Sequence, residues 1–198
     1  MPEQSLNVLC VVGSLNETSV TRVVVNAVAE QLRTAGCVVD VLDLDKEPLP
    51  LYDPDTAEDQ PHFTALQSRV ARADVFILGS PDYHGSISSA LKNFLDHFWH
   101  EFTGKLFCPV VASHEKGLTV IDQLRTVARQ CYAWALPYGV SFMEQADVAN
   151  GQIASDSLKK RITMLVRDAQ VYGLLLARQR HADLAGTDPG FMERLRKK

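Results

Sequence analysis

The sequence predicts an α/β fold, a doubly wound five-stranded parallel sheet in the order 2-1-3-4-5 with helices on both faces. Three observations carry this. Short β-rich apolar runs are each followed by a longer segment of helical period, five times in succession. The runs are continuously apolar rather than alternating, as in strands covered on both faces. At 198 residues, the chain suits a single core. With five such strands the order reverses between strands 1 and 3, and ligands bind beyond the carboxyl ends of the strands at that reversal.

The first strand is Val8 to Val12, stopped by Gly13-Ser14. A helix follows from about Ser19 to Ala35, with Val20, Val24, Ala27, Val28 and Leu32 at helical spacing and Gly36 as its stop. Val38 to Leu44 reads as the second strand, and the Pro- and Asp-rich segment Pro48 to Pro61 as a loop too short to link domains. Phe63 to Ala73 reads as a helix and Val75 to Gly79 as the third strand. A helix from about Ile87 to Phe102 carries the apolar stripe Leu91, Phe94, Leu95, Phe98, Trp99 and Phe102. Leu106 to Ala112 is the fourth strand, about Leu118 to Ala135 the fourth helix, and Val140 to Phe142 the start of the fifth strand. A last helix runs from about Ile153 to Arg178. One domain is expected over residues 1–180, with 181–198 as a C-terminal tail.

A net charge of -4 gives no electrostatic reason to expect nucleic acid or a membrane surface as partner. The basic run of Arg194, Arg196, Lys197 and Lys198 reads as a solvated tail. Glu3 and Gln4 precede the first strand without a cationic n-region, and no apolar run approaches the roughly 20 residues that cross a bilayer. Cys10, Cys37, Cys108 and Cys131 are scattered, without metal-ligand spacing, and read as small buried hydrophobes of a cytoplasmic protein.

The chemistry should lie after Val12, after Gly79 and after Ala112, and each place holds small polar loop residues. The first loop, Gly13 to Ser19, leads straight into a helix. Its hydroxyls and free amides suit a phosphate at a helix N-terminus, or else Thr18 or Ser19 is simply the cap. It is neither a Walker motif nor the GxGxxG of dinucleotide folds, so a mononucleotide fits it better. The second loop is Ser80-Pro81-Asp82-Tyr83-His84-Gly85-Ser86, followed by Ile87-Ser88-Ser89-Ala90-Leu91-Lys92-Asn93. Taken alone, Tyr83 and His84 are an exposed turn pair. The third, Ser113 to Gly117, precedes a helix containing Leu124-Arg125.

The segment Ser80 to Asn93 resembles the signature of the NADPH-dependent FMN reductase family, which includes azoreductase-like and quinone-reductase-like flavoproteins. That pattern is a hydroxyl residue, Pro, a variable residue, Tyr, Asn or His, Gly, a Ser-rich helix start and Leu-Lys-Asn. The likeness extends over roughly Val8 to Tyr138 and implies a flavodoxin-like fold with FMN as cofactor. It implies that Pro81, Asp82, Tyr83, His84 and Gly85 line the isoalloxazine ring, and that Ser113, His114 and Gly117 belong to the loop at its pyrimidine end. Glycine at position 85 and an aromatic ring at 83 suit close approach to a flat ligand. Two departures stand out. Of the family's usual glycines in the third loop only Gly117 survives, and Asn16 stands where the family has Arg. Without that cation, Ser14, Asn16, Ser19, Val20 (through its amide) and Thr21 carry more of the phosphate binding, and FMN is held more weakly.

The resemblance implies hydride transfer from NADPH or NADH to flavin N5, then electron transfer by ping-pong to a small-molecule acceptor: a quinone, an azo dye, a metal oxyanion or free flavin. Such transfer needs no protein nucleophile, so no catalytic residue and no metal is assigned. A non-enzymatic FMN electron carrier is the alternative, although the acidity and Thr-rich phosphate loop of flavodoxins are absent. A receiver-type signalling domain would need an acceptor Asp where Gly13, Ser80 and Ser113 stand. Trp99, Phe102, Trp134 and Val171 to Leu176 suit either core or subunit contact, and the family resemblance favours a homodimer or tetramer.

Overall fold

The structure, a computed structural model, describes residues 5–61 and 63–196. Strands β1 (Asn7–Val12), β2 (Val38–Asp43), β3 (Val75–Pro81) and β4 (Leu106–Ala112) run parallel in the order β2-β1-β3-β4. Helices α1 (Val20–Thr34) and α6 (Asp156–Ala185) pack on one face, and α2 (Phe63–Arg72), α3 (Ser89–Asp96) and α4 (Leu118–Gln130) on the other. The expected order 2-1-3-4-5 holds. The fifth position, however, is filled by two short strands, β5 (Trp134–Ala135) and β6 (Val140–Phe142), both parallel to β4.

The interruption has a physical cause. Phe107 pairs with Ala135 and Val110 with Val140, so Leu136 to Gly139 bulge opposite Cys108 and Pro109. Leu136 N donates to Phe107 O, which sets the parity of β4: Phe107 and Pro109 both turn their backbone groups toward the fifth position. Pro109 has no N–H to offer there, so the ladder stops at Leu136. A proline is tolerated inside a strand where pairing is already broken.

Two helices end in the same Schellman geometry. After α1, Cys37 N donates to Leu32 O and Gly36 N to Arg33 O, with Gly36 at φ 86. After α4, Ala133 N donates to Ala128 O and Tyr132 N to Arg129 O, with Tyr132 at φ 56. The second stop uses a non-glycine residue. It frees Trp134 and Ala135 to form β5, where the sequence read as helix through Ala135.

The helix expected over 87–102 is also shorter. α3 ends at Asp96, and after a turn a single 3₁₀ turn spans His100–Phe102. His97 Nδ1 donates to Asn93 O at 2.7 Å, closing the last turn. Phe98 is thereby swung against Phe63, with ring centroids 5.8 Å apart and planes 13° apart. Leu91, Phe94, Leu95, Phe98 and Phe102 are buried as the stripe requires, while Trp99 lies 52% exposed. Apolar side chains that meet one core look like one helical face even when the backbone changes form midway.

Beyond β6 the chain forms α5 (Glu144–Asp147) and a two-stranded antiparallel pair, β7 (Val148–Ala149) with β8 (Gln152–Ile153). α6 then starts at Asp156 behind its cap Ser155 and continues to Ala185, seven residues past the expected end at Arg178. The last helix, α7 (Glu193–Arg196), folds back. Met192 is buried beside Gly104, Arg196 Nε donates to Asp183 O, and Arg194 lies 4.1 Å over the Tyr132 ring. Arg194 and Arg196 are therefore tethered, while Lys197, Lys198, Glu3 and Gln4 lie outside the described residues. All four cysteines are buried and unpaired, and burial pushes the Cys10 thiol up to about 12 and that of Cys131 to about 11.

Candidate flavin site

The first loop begins with a forced contact. Gly13 N donates to Gly79 O at 2.8 Å, and a Cβ on Gly13 would lie 2.6 Å from that oxygen and 2.7 Å from Leu91 Cβ. Only glycine lets β1 leave the sheet here. Buried serines then tie this loop to the second one. Ser88 caps α3 by accepting from Leu91 N, and its hydroxyl donates to Gly13 O at 2.5 Å. Ser88 N in turn donates to Ser80 Oγ.

Within the first loop, Asn16 Oδ1 accepts from Thr18 N at 2.9 Å and from Thr18 Oγ1 at 3.1 Å. Ser19 caps α1 by accepting from Arg22 N at 3.3 Å. Capping and ligand binding are compatible, because a hydroxyl that accepts can still donate its proton. Arg22 braces the loop from behind. Its Nη1 donates to the carbonyls of Asn16 and Glu17, while Nε and Nη2 pair with Asp43 and Asp45. The carboxylates, Asp43 first, hold the guanidinium charged and absorb its charge.

The second loop is a tight hairpin. Tyr83 and Ser86 exchange both backbone hydrogen bonds, and His84 (φ 57) and Gly85 (φ 76) form the turn. A glycine at 85 is thus required by the turn itself. A Cβ there would meet only Thr119 Oγ1, at 3.6 Å, so the surface above it is open. From α4, Gln123 grips this hairpin: its Oε1 accepts from Ser86 Oγ and Ile87 N, and its Nε2 donates to Gly85 O. Asp82 joins the hairpin to the third loop, accepting from Gly85 N at 2.8 Å and from Ser113 Oγ at 2.9 Å.

These contacts bring the three loops to one crevice of about 150 Å³ at the reversal point of the sheet. Of the predicted residues, Ser14, Asn16, Ser19, Val20, Thr21, Pro81, Asp82, Tyr83, Ser113 and His114 line it. His84 and Gly85 sit at the hairpin tip beside it. Gly117 lies behind, capping α4 at φ 59, where a Cβ would strike Val111 at 2.8 Å. Thr18, considered only as a cap that the structure gives to Ser19, lines the crevice as well, as do Ala112 and Glu144. Glu144 had a usable signal, since it follows the carboxyl end of β6; Gln123 had none. Among the described residues no Lys or Arg contributes to the lining, whereas the carboxyl residues Asp82 and Glu144 do.

Hydroxyls and amides at the N-terminus of α1, glycine-forced loop geometry and an exposed tyrosine fit a flavin mononucleotide. Comparison with known proteins points the same way. A family model described as NADPH-dependent FMN reductase matches residues 6–147. The FMN-dependent NADPH-azoreductase of Staphylococcus haemolyticus is 37% identical over 137 residues, 65% of this chain and 72% of that protein. Its counterpart in Staphylococcus aureus strain USA300 is 34% identical over 94 residues, 45% of this chain and half of that protein. Among solved structures, the apo form of the NADH:FMN oxidoreductase EMOB superposes with a TM-score of 0.69 at 14% identity, over 85% of this chain and 90% of that one. The NAD(P)H:(acceptor) oxidoreductase FerB of Paracoccus denitrificans gives 0.60 at 19%, over 82% and 96%. At these identities the structural likeness is one of fold. The family match starts one residue before β1 and ends with α5, thus taking in every element that lines the crevice, and the chain belongs to the NADPH-dependent FMN reductase family.

Proposed function

We propose that this chain reduces FMN with NADPH, or NADH, at the crevice and passes the electrons to a small-molecule acceptor: a quinone, an azo compound, a metal oxyanion or free flavin. The observation that carries this is the meeting of the hydroxyl-rich α1 loop, the Tyr83 hairpin and the Ser113 loop at one point, within a chain of this family. FMN supplies the redox centre when bound. The protein's own part is to bind, orient and exclude. In this reading Ser14, Ser19, Thr21 and the Val20 amide hold the phosphate, and Asn16 shapes their loop. Pro81, Asp82, Tyr83, His84 and Gly85 flank the ring, and Ser113, His114 and Gly117 form the loop at its pyrimidine end. The azoreductase and acceptor-oxidoreductase names of relatives support the acceptor classes.

Steady-state kinetics test it. With NADPH and a quinone or azo acceptor sharing one crevice, double-reciprocal lines stay parallel as acceptor concentration changes; intersecting lines contradict a shared site.

We take residues 1–180 as one flavin-binding domain and 181–198 as a C-terminal tail. A homodimer or tetramer is supported by exposed Trp99, Trp134, Tyr172 and Leu175, although Phe102 and Gly173 belong to the core. Sedimentation as a monomer at micromolar concentration contradicts that assembly. No helix among the described residues is long and apolar enough to cross a membrane. Four buried, unpaired cysteines support a reducing compartment such as the cytoplasm.

A further inference from the structure

β2 is the outermost strand on its side of the sheet, and its sequence, Val-Val-Asp-Val-Leu-Asp, is rich in β-branched residues and free of Pro and Gly. Val38 N donates to Leu6 O and Leu44 N to Val12 O, so Val38, Asp40 and Leu42 turn their backbone groups toward β1. Val39, Val41 and Asp43 therefore turn theirs outward, as a row on which another strand could form. All three outward carbonyls are already taken. Arg33, in the last turn of α1, donates from Nη2 to Val39 O at 3.4 Å. Arg69, in the last turn of α2 on the opposite face, donates from Nη2 to Val41 O at 3.0 Å. Lys46 N and Glu47 N donate to Asp43 O. Arg69 is itself held in place, with Nε and Nη2 on Asp40 at 2.8 and 2.9 Å and Nη1 on Glu47 at 2.7 Å.

The other side of the sheet repeats the arrangement. Ser113 N donates to Phe142 O, so Phe142 faces β4 and Ser141 faces outward, where Arg161 of α6 donates from Nη1 to Ser141 O. β5, on the same side, is only two residues long, too short to template a partner. Each guanidinium thus sets a charged donor on a carbonyl that an added strand would need, and such a donor outbids a neutral amide. We infer that Arg33 and Arg69 keep β2 closed to strand pairing with a second copy of this chain. Self-association is thereby left to the helix faces.

Sedimentation velocity of the full chain at matched concentrations, up to about 100 μM, tests this with Arg33→Ala, Arg69→Ala and the double variant. The double variant should show an added, concentration-dependent species of at least about twice the parent's mass, and each single variant a smaller fraction of it. Amide exchange at Val39 and Val41 should slow in that species, because pairing gives their outward N–H groups acceptors. Arg72→Ala removes the same charge from the same turn of α2 and should sediment as the parent. If the double variant loses the parent's circular dichroism, the single variants decide. Folded variants that sediment as the parent at every concentration overturn the inference, and lower stability with unchanged mass leaves the arginines only the holding of their helices. A new species whose Val39 and Val41 amides exchange as fast as the parent's, or equal association by Arg72→Ala, overturns it as well.

Discussion

Ser113 donates its hydroxyl proton to Asp82 across 2.9 Å, and the other oxygen of the same carboxylate accepts from Gly85 N. One side chain thereby fixes the hairpin after β3 against the loop after β4. The spacing between the two proposed flavin-flanking segments depends on it.

Asp82→Ala should release both partners and weaken FMN binding about tenfold, the loss expected from one or two buried hydrogen bonds. Asp82→Asn keeps an acceptor for Gly85 N and should fall between. Flavin fluorescence titration reads both; an unchanged affinity in the alanine variant contradicts this role.

Gln123 makes three hydrogen bonds to the Gly85–Ile87 segment from a helix outside the crevice lining. Gln123→Ala should loosen the hairpin, alter the visible circular dichroism of bound flavin and cost about 1–3 kcal/mol of stability. Gln123→Glu retains the acceptor for Ser86 Oγ and Ile87 N but not the donor to Gly85 O, and should restore part of the signal. A spectrum identical to the parent in the alanine variant contradicts a positioning role.

Gly13→Ala places a methyl group 2.6 Å from Gly79 O and 2.7 Å from Leu91 Cβ. Backbone must move to admit it, so thermal or urea unfolding should show a loss of about 1–3 kcal/mol together with weaker FMN binding. Wild-type stability in this variant contradicts the packed junction described here.

Lys105 is fully buried, and its Nζ donates to Val70 O and Ala71 O, each at 2.8 Å, at the C-terminal end of α2. Burial, aided by Arg180 and opposed by Asp74 and Glu101, brings its pKa down to about 7. Two carbonyls match the two N–H groups of the neutral amine. Between pH 7 and the unfolded value near 10.5 the unfolded chain binds the extra proton, so the stability attributable to this residue rises with pH. The unfolding free energy of the wild type from urea titrations should climb relative to Lys105→Met across that window, by at most about 1.4 kcal/mol per pH unit. A difference between the two that is flat with pH contradicts a buried neutral amine.

The sheet order and the meeting point of the three loops were legible because continuous apolar runs and polar loop ends record burial and strand direction directly. Gly36 announced the end of α1; Tyr132 makes the same turn after α4 but carries no such mark, so β5 was read as helix. The break after α3 was hidden because Phe94 and Phe102 stay in the core on either side of it, with Phe98 between them. Pro109 did not hide the fourth strand, and the bulge Leu136–Gly139 lies opposite its missing N–H. Glu144 follows the carboxyl end of β6, a place the strand reading marks; Gln123 lies on the predicted α4, but that its side chain grips the Gly85–Ile87 hairpin depends on tertiary packing, which local pattern does not encode.

Anaerobic addition of NADPH to the purified chain with FMN, with no other protein present, tests the central claim most directly. The account predicts that the protein quenches or shifts FMN fluorescence and that NADPH then abolishes the flavin's visible absorbance. Fluorescence undisturbed by the protein contradicts the shared crevice, and binding without bleaching contradicts the reductase in favour of a passive carrier.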